Sequence, residues 1–256
     1  MCLILFAWQA HPRYPLVVAA NRDEFHDRPT AAAEFWKENP DILAGKDLQA
    51  SGTWMGVSRS RRFAAISNYR ESLYKASDQE YSRGHLVRDF LLDSATPEPY
   101  AERLQTWGKF YRGFNILIAD QDTLYYVSNR KDNAVNVNPG CHGLSNHLLN
   151  TDWPKVHDGR DRLRSVLQDE HVDPETLLEL LADRSTSPAT SLSTEELRSE
   201  PEIMNERIFI DSPVYGTRSS TVLLIENNGS MTFVERQFDT EGKPGNTREY
   251  ILKKRQ

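Results

Sequence analysis

Met1-Cys2-Leu3-Ile4-Leu5-Phe6-Ala7-Trp8, a polar turn from Gln9 to Tyr14, and then Leu16-Val17-Val18-Ala19-Ala20-Asn21-Arg22-Asp23-Glu24-Phe25 open the chain. Two apolar runs of strand length separated by a turn predict a β-hairpin. Antiparallel neighbours lie about 4.8 Å apart, so the hairpin carries the polar burst Asn21-Arg22-Asp23-Glu24 back to the level of Cys2. Taken singly, Cys2 reads as a small apolar residue near a chain end. The tetrapeptide alone reads as a solvated turn or a structural ion pair.

Together the two features point to chemistry. If Met1 is removed, which a small second residue permits, one residue carries both a thiol and a free α-amine. A thiol with a pKa of about 8.5 is the reactive side chain once deprotonated. An α-amine with a pKa of roughly 8 takes up protons near neutrality without a histidine, and such an amine serving its own side-chain nucleophile is a recognised activation scheme. Asp23 would order that amine. Arg22 or Arg218 would favour the thiolate and bind an anionic part of a substrate. Glu24 opposes thiolate formation and is expected to brace an arginine.

Residues 26–51 read as loop with one short strand at Ile42 to Ala44. Thr53 to Ser58 and Phe63 to Ser67 form a second hairpin that ends in Asn68-Tyr69-Arg70-Glu71. Helical spacing of Leu86, Val87, Phe90 and Leu91 predicts a helix over Ser82 to Leu92, and Pro97 to Trp107 a second. Phe114 to Ala119 and Leu124 to Asn129 are a hairpin, followed by short strands at Ala134 to Val137 and Cys141 to Leu144. Asp152 is expected to cap a helix from Trp153 to Gln168, and Asp173-Pro174-Glu175 one that runs to Asp183. Residues 184–205, rich in Ser, Thr, Pro and Glu, read as a lid. Thr221 to Glu226, an Asn-Asn-Gly turn, Met231 to Phe238 and a strand near Arg248 to Leu252 close the chain. Antiparallel strands with helices in two pairs give an α+β domain of two sheets flanked by helices, a single domain over residues 1–256.

With 256 residues, 38% hydrophobic and 27% charged, the chain supports a sizeable core. A net charge of −6 argues against nucleic-acid binding. Two cysteines suggest no disulfide framework. The apolar opening lacks a basic start and is too short for a signal peptide or a membrane span, so a cytoplasmic protein is expected. No histidine pair stands at metal spacing, so no metal site is expected. No Cys-x-x-Cys-His, P-loop or dinucleotide glycine pattern occurs. Trp54 and Trp153 are core residues or pocket walls. His147 reads as a surface residue.

The motifs Met1-Cys2, VVAANRDEF, SGTWMGVS, SNYRE, GLSNH and GTRSSTV are spread over nearly the whole chain. In them the sequence resembles the NRDE-domain family, that of transport and Golgi organisation protein 2, which is similar to the cysteine N-terminal nucleophile hydrolases. The resemblance implies a four-layer αββα sandwich. It also implies Cys2 as nucleophile, Asp23 holding the amine, Asn68 and Asn146 as oxyanion or amine contacts, and Arg218 as a distal active-site arginine. Asn21, Arg22 and Trp54 become candidate substrate contacts. The related amidases write Arg-Asn-any-Asp where this chain has Ala20-Asn21-Arg22-Asp23, which displaces the arginine by two positions. The expected reaction is hydrolysis of a non-peptide amide or acyl thioester with no required cofactor. The alternative is a non-catalytic carrier of haem or acyl-coenzyme A and lipid.

Overall fold

The computed structural model describes residues 2–71, 81–185 and 206–254. In chain order its strands begin with β1 (Cys2–Trp8), β2 (Leu16–Phe25), β3 (Thr30–Phe35), β4 (Ile42–Asp47), β5 (Met55–Ser58) and β6 (Phe63–Asn68). Helices α1 (Gly84–Leu92) and α2 (Pro97–Trp107) follow, then β7 (Phe114–Ala119), β8 (Leu124–Ser128), β9 (Val135–Asn136) and β10 (Gly140–Leu144). Helices α3 (Pro154–Val166) and α4 (Pro174–Leu181) precede β11 (Tyr215–Ile225), β12 (Met231–Phe238) and β13 (Pro244–Leu252). Of the expected lid, residues 184–205, all but Arg184 and Ser185 lie outside the described residues.

The backbone gathers into two compact units. Of the described chain, the first takes residues 2–28, 139–144, 149–185 and 206–254. Its sheet is antiparallel throughout, in the order β10-β1-β2-β11-β12-β13. Leu3, Leu5 and Ala7 of β1 and Val17 and Ala19 of β2 pack with Val156 and Leu163 of α3 and Leu177, Leu178 and Leu181 of α4. The alternate residues Ile4, Phe6 and Val18 are buried as well. Strands buried on both faces read as continuous apolar runs, which is why MCLILFAW and PLVVAA show no alternation.

The connection between β1 and β2 is built on His11. Its Nδ1 accepts from the backbone N–H groups of Arg13 (3.1 Å) and Tyr14 (3.3 Å). The remaining ring nitrogen, Nε2, therefore carries the proton and donates to the Asp169 carbonyl at 3.0 Å. Helix α3 lies close over β1 because of a glycine: a Cβ on Gly159 would sit 2.8 Å from Leu5 Cδ1. Its start differs from expectation. The cap position is Trp153, extended at φ −95° and ψ 140°, with no side-chain cap, rather than Asp152. Pro154 forces its predecessor out of the helical region and then occupies the first turn itself. Helix α4 begins as read, with the Asp173 carboxylate accepting from the Glu175 N–H at 3.2 Å.

The second unit holds residues 29–71, 81–138 and 145–148 of the described chain. Its seven strands form a meander in which each strand neighbours the next, β3 to β9. Helices α1 and α2 cover this sheet through Leu86, Val87, Phe90, Leu91, Tyr100 and Leu104, packed on Ala64, Ile66, Ile116 and Ile118. Strand β3 is absent from the sequence reading, which took residues 26–51 mainly as loop. Its run of alanines has little strand preference, and its register with β4 breaks between Ala31 and Glu34. The two antiparallel sheets flanked by helices are both present, and the protein is α+β.

Candidate functional site

Strand β2 does not end where its apolar run ends. It continues through Asn21, Arg22, Asp23 and Glu24 to Phe25. Asn21, Arg22 and Asp23 are 1%, 5% and 2% exposed, so this is no solvated turn. The reason lies on its neighbour. Asn21 pairs with Ser220, Arg22 with Ser219, Asp23 with Thr217 and Glu24 with Gly216. Two polar tracts far apart in sequence thus lie side by side and satisfy each other. On the opposite edge of β2, Cys2 pairs with Arg22.

Residues directly opposite in a sheet share a face, so Cys2 and Arg22 point one way while Asn21 and Asp23 point to the helix side. Asn21 is committed there. Its Nδ2 donates to the carbonyls of Leu181 and Ile208, each at 2.8 Å. Its Oδ1 accepts from the Ser220 hydroxyl at 2.6 Å. The candidate substrate contact Asn21 therefore ties β2 to α4 and to the segment before β11.

Asp23 is held from several directions. The Thr217 hydroxyl donates to Oδ1 at 2.8 Å while itself accepting from the Ile210 N–H at 2.9 Å. The Tyr215 hydroxyl donates to the Asp23 backbone carbonyl at 2.8 Å. Burial pushes the Asp23 carboxyl above its ordinary range, against the opposing pull of the chain's amino end, Lys155, the Thr217 hydroxyl and Arg22. Cys2 stands beside it. The Asp23 backbone N–H is directed at the Cys2 sulfur, and together with the Arg22 charge it favours the thiolate. Burial outweighs both and raises the thiol above its usual range. The sulfur is consequently protonated near neutrality, and attack needs a proton acceptor at the moment of bond formation.

Arg22 lies 3.8 Å from the Glu24 carboxylate, which also lies 3.9 Å from Arg28. Glu24 braces arginines, as the sequence suggested. Arg218 occupies the irregularity where the β2–β11 register shifts between Thr217 and Ser219. Its Nη1 donates to the carbonyls of Phe25 (2.9 Å) and His26 (3.1 Å), which clamps the end of β2.

Asn68, Asn146 and Trp54 belong to the second unit. Asn68 ends β6 and its side chain is exposed. Asn146 is 1% exposed, and its Nδ2 donates to the Asn68 carbonyl at 2.9 Å. The Arg70 N–H returns to the Asn146 carbonyl at 2.8 Å, and the Ser67 hydroxyl donates to the Ser145 carbonyl at 2.5 Å. The SNYRE and GLSNH motifs are thereby joined to each other. Trp54 lies half-buried with its ring over Gly45, where any β-carbon would collide with it. His147 is half-buried against the Tyr69 ring, 5.1 Å between centroids. Among the described residues no group of His, Cys, Asp and Glu is arranged to hold a metal ion.

Three residues of the Asp23 environment were not singled out by sequence: Thr217, Tyr215 and Lys155. Thr217 was within reach, because it sits in the GTRSSTV motif. Lys155 had a weaker signal, a lysine four residues before Gly159 and eight before Leu163 on the apolar stripe of α3.

The fold and this site define an α+β protein with a thiol at its second residue, set against the backbone N–H of Asp23 on the neighbouring strand. The family profile described as Transport and Golgi organisation 2 matches residues 1–240, and the chain belongs to that family. It is 33% identical to the Transport and Golgi organization 2 homolog of Mus musculus over 98% of this chain and 99% of that one. It is 32% identical to the Homo sapiens homolog over 92% of each. Among solved structures, the N-acylethanolamine-hydrolyzing acid amidase ortholog of Caenorhabditis elegans aligns over 87% of this chain and 92% of its own, with a TM-score of 0.47 and 13% identity. No helix among the described residues is long and apolar enough to cross a membrane.

Proposed function

We propose that this protein is an N-terminal cysteine nucleophile hydrolase acting on a non-peptide amide or an acyl thioester. The observation that carries the reading is the pairing of Cys2 with the β2 segment holding Asp23, whose N–H faces the sulfur and whose carboxylate is fixed by Thr217. Removal of Met1 frees the α-amine of Cys2. The amine takes the thiol proton as sulfur bonds to the substrate carbonyl carbon, then gives it to the departing amine or thiolate as that bond breaks. Water, deprotonated by the same amine, releases the acyl group and regenerates the thiol. Arg22, on the face of Cys2, suits an anionic substrate group. No metal or cofactor takes part in this scheme.

Intact mass after incubation with a thiol probe and an acyl-thioester panel tests the proposal. Cys141 is the second thiol, half-buried and raised by that burial, so adducts are assigned with Cys2→Ala and Cys141→Ala. The expected result is a mass lacking methionine and a trapped acyl group that Cys2→Ala eliminates. Retained Met1, or turnover unchanged by Cys2→Ala, overturns it. Ligand binding preserved in Cys2→Ala, with no turnover by either protein, marks a carrier of haem or acyl-coenzyme A instead.

A further inference from the structure

Lys155 stands out in the described chain as a lysine only 1% exposed. A buried ammonium costs several kcal/mol unless it is compensated. This one also sits in the first turn of α3, next to Pro154, where the helix dipole disfavours a cation. Such a residue needs an anion. Helix α3 packs on the side of the sheet to which Leu3, Leu5 and Val17 point. Asp23 shares that side by strand parity. Gly159 touches Leu5, and Lys155 lies one turn earlier on the same helix face. Its charge is felt at the Asp23 carboxylate.

We propose that Lys155 is a positioning residue for the Cys2–Asp23 pair: its ammonium balances the Asp23 carboxylate, so that the α-amine of processed Cys2 works as a proton acceptor rather than as a locked ammonium. This rests on the reading of Cys2 given above. An aspartate alone beside an amine holds the amine's proton and makes it a poor base. A second cation on the same carboxylate weakens that hold. The thiol proton moves to the amine during attack and on to the leaving group afterwards, and Lys155 neither gains nor loses one. The charged and titratable groups facing Asp23 are the chain's amino end ahead of β1, Cys2 on β1, Arg22 on β2 and Lys155 on α3; β11 contributes the Thr217 hydroxyl to the carboxylate and the Tyr215 hydroxyl to the backbone carbonyl. Arg207, also buried, feels Glu206 and Asp211 rather than Asp23.

The test is the pH dependence of Cys2 alkylation by iodoacetamide, read by intact mass, in wild type, Lys155→Met and Lys155→Arg. Removing a nearby cation makes every deprotonation in the cluster harder, so the Lys155→Met midpoint is expected to rise by about one pH unit or more. Lys155→Arg should stay within a few tenths of a unit of wild type. If the methionine variant does not fold, Lys155→Gln carries the comparison. An unchanged midpoint with a lowered melting temperature means that Lys155 only fills space; it overturns this inference and leaves the Cys2 reading standing. Retained Met1, or no alkylation of Cys2 in wild type, overturns both.

Discussion

Thr217 and Asp23 sit side by side on antiparallel strands, joined by a hydroxyl-to-carboxylate hydrogen bond of 2.8 Å. The same hydroxyl accepts the Ile210 N–H, so one oxygen fixes both the carboxylate and the chain entering β11. Thr217→Val keeps the shape and removes both bonds. A hydrogen bond to a charged group contributes about 2 kcal/mol, so Thr217→Val should lower unfolding free energy by about that amount or more, and Thr217→Ser should recover most of it. Urea titration at neutral pH reads the difference, and an unaltered midpoint would show that the bond is not made.

Asp23 should make stability depend on pH in the sense opposite to an ordinary paired carboxylate. Burial holds its folded carboxyl above the usual range. Between about pH 4 and that raised value the folded state keeps a proton that the unfolded chain has released. Its contribution to stability therefore falls as pH rises through the window. Asp23→Asn removes the step, so the stability of the variant relative to wild type should improve on going from about pH 4 toward neutrality. A difference independent of pH contradicts the assignment. Turnover should be lost in Asp23→Asn throughout.

Asn21 is a structural residue in this geometry, and Asn21→Ala separates that role from substrate contact. The change strands the Leu181 and Ile208 carbonyls and the Ser220 hydroxyl in a site that is 1% exposed. Unsatisfied buried groups of this kind cost about 1–3 kcal/mol each. The melting temperature should fall by several degrees while KM of the folded fraction stays put. A KM change without loss of stability would restore Asn21 as a ligand contact.

Gly159→Ala tests the seating of α3. Alanine favours a helix over glycine by about 1 kcal/mol. Against this, its Cβ would stand 2.8 Å from two Leu5 methyl carbons, and Leu5 is 0% exposed with no room to retreat. Overpacking of this kind costs about 1–3 kcal/mol, so the net effect should be destabilising by about 1 kcal/mol. It should also disturb Lys155, one turn away, and with it the pH profile of Cys2. A stabilised variant would mean that α3 lies farther from β1.

Much of this architecture was legible because periodicity carries it. The stripe Leu86, Val87, Phe90 and Leu91 and the cap at Asp173 marked α1 and α4, and Pro97 and Trp107 bound α2 as read. Legibility failed where pairing overrides local preference. Thr30–Phe35 forms a strand on its alanines because β4 receives it, bulge included. Strand β13 reaches back to Pro244 although most of its residues are exposed, because an edge strand is held by backbone pairing and shows no buried stripe. In the site, Cys2 and the Asn21–Glu24 block were visible as chemistry. Their burial was not, because it depends on Gly216 to Ser220 arriving alongside from nearly 200 residues away in sequence. Lys155 was hidden for the same reason: an isolated lysine in a helix reads as a solvated one until its anion is found.

The register that pairs Cys2 with Arg22 has a practical side. On its other edge the ladder of β1 with β10 runs from Ile4 to Trp8, so the first residue of the strand stands ahead of that ladder. Any extension ahead of it, such as an affinity handle, would have to leave the sheet at the very spot where the sulfur must be approached. Recombinant work on this protein should therefore carry its handle behind β13, beyond Lys254, and leave the leading end as the cell's own aminopeptidase would find it.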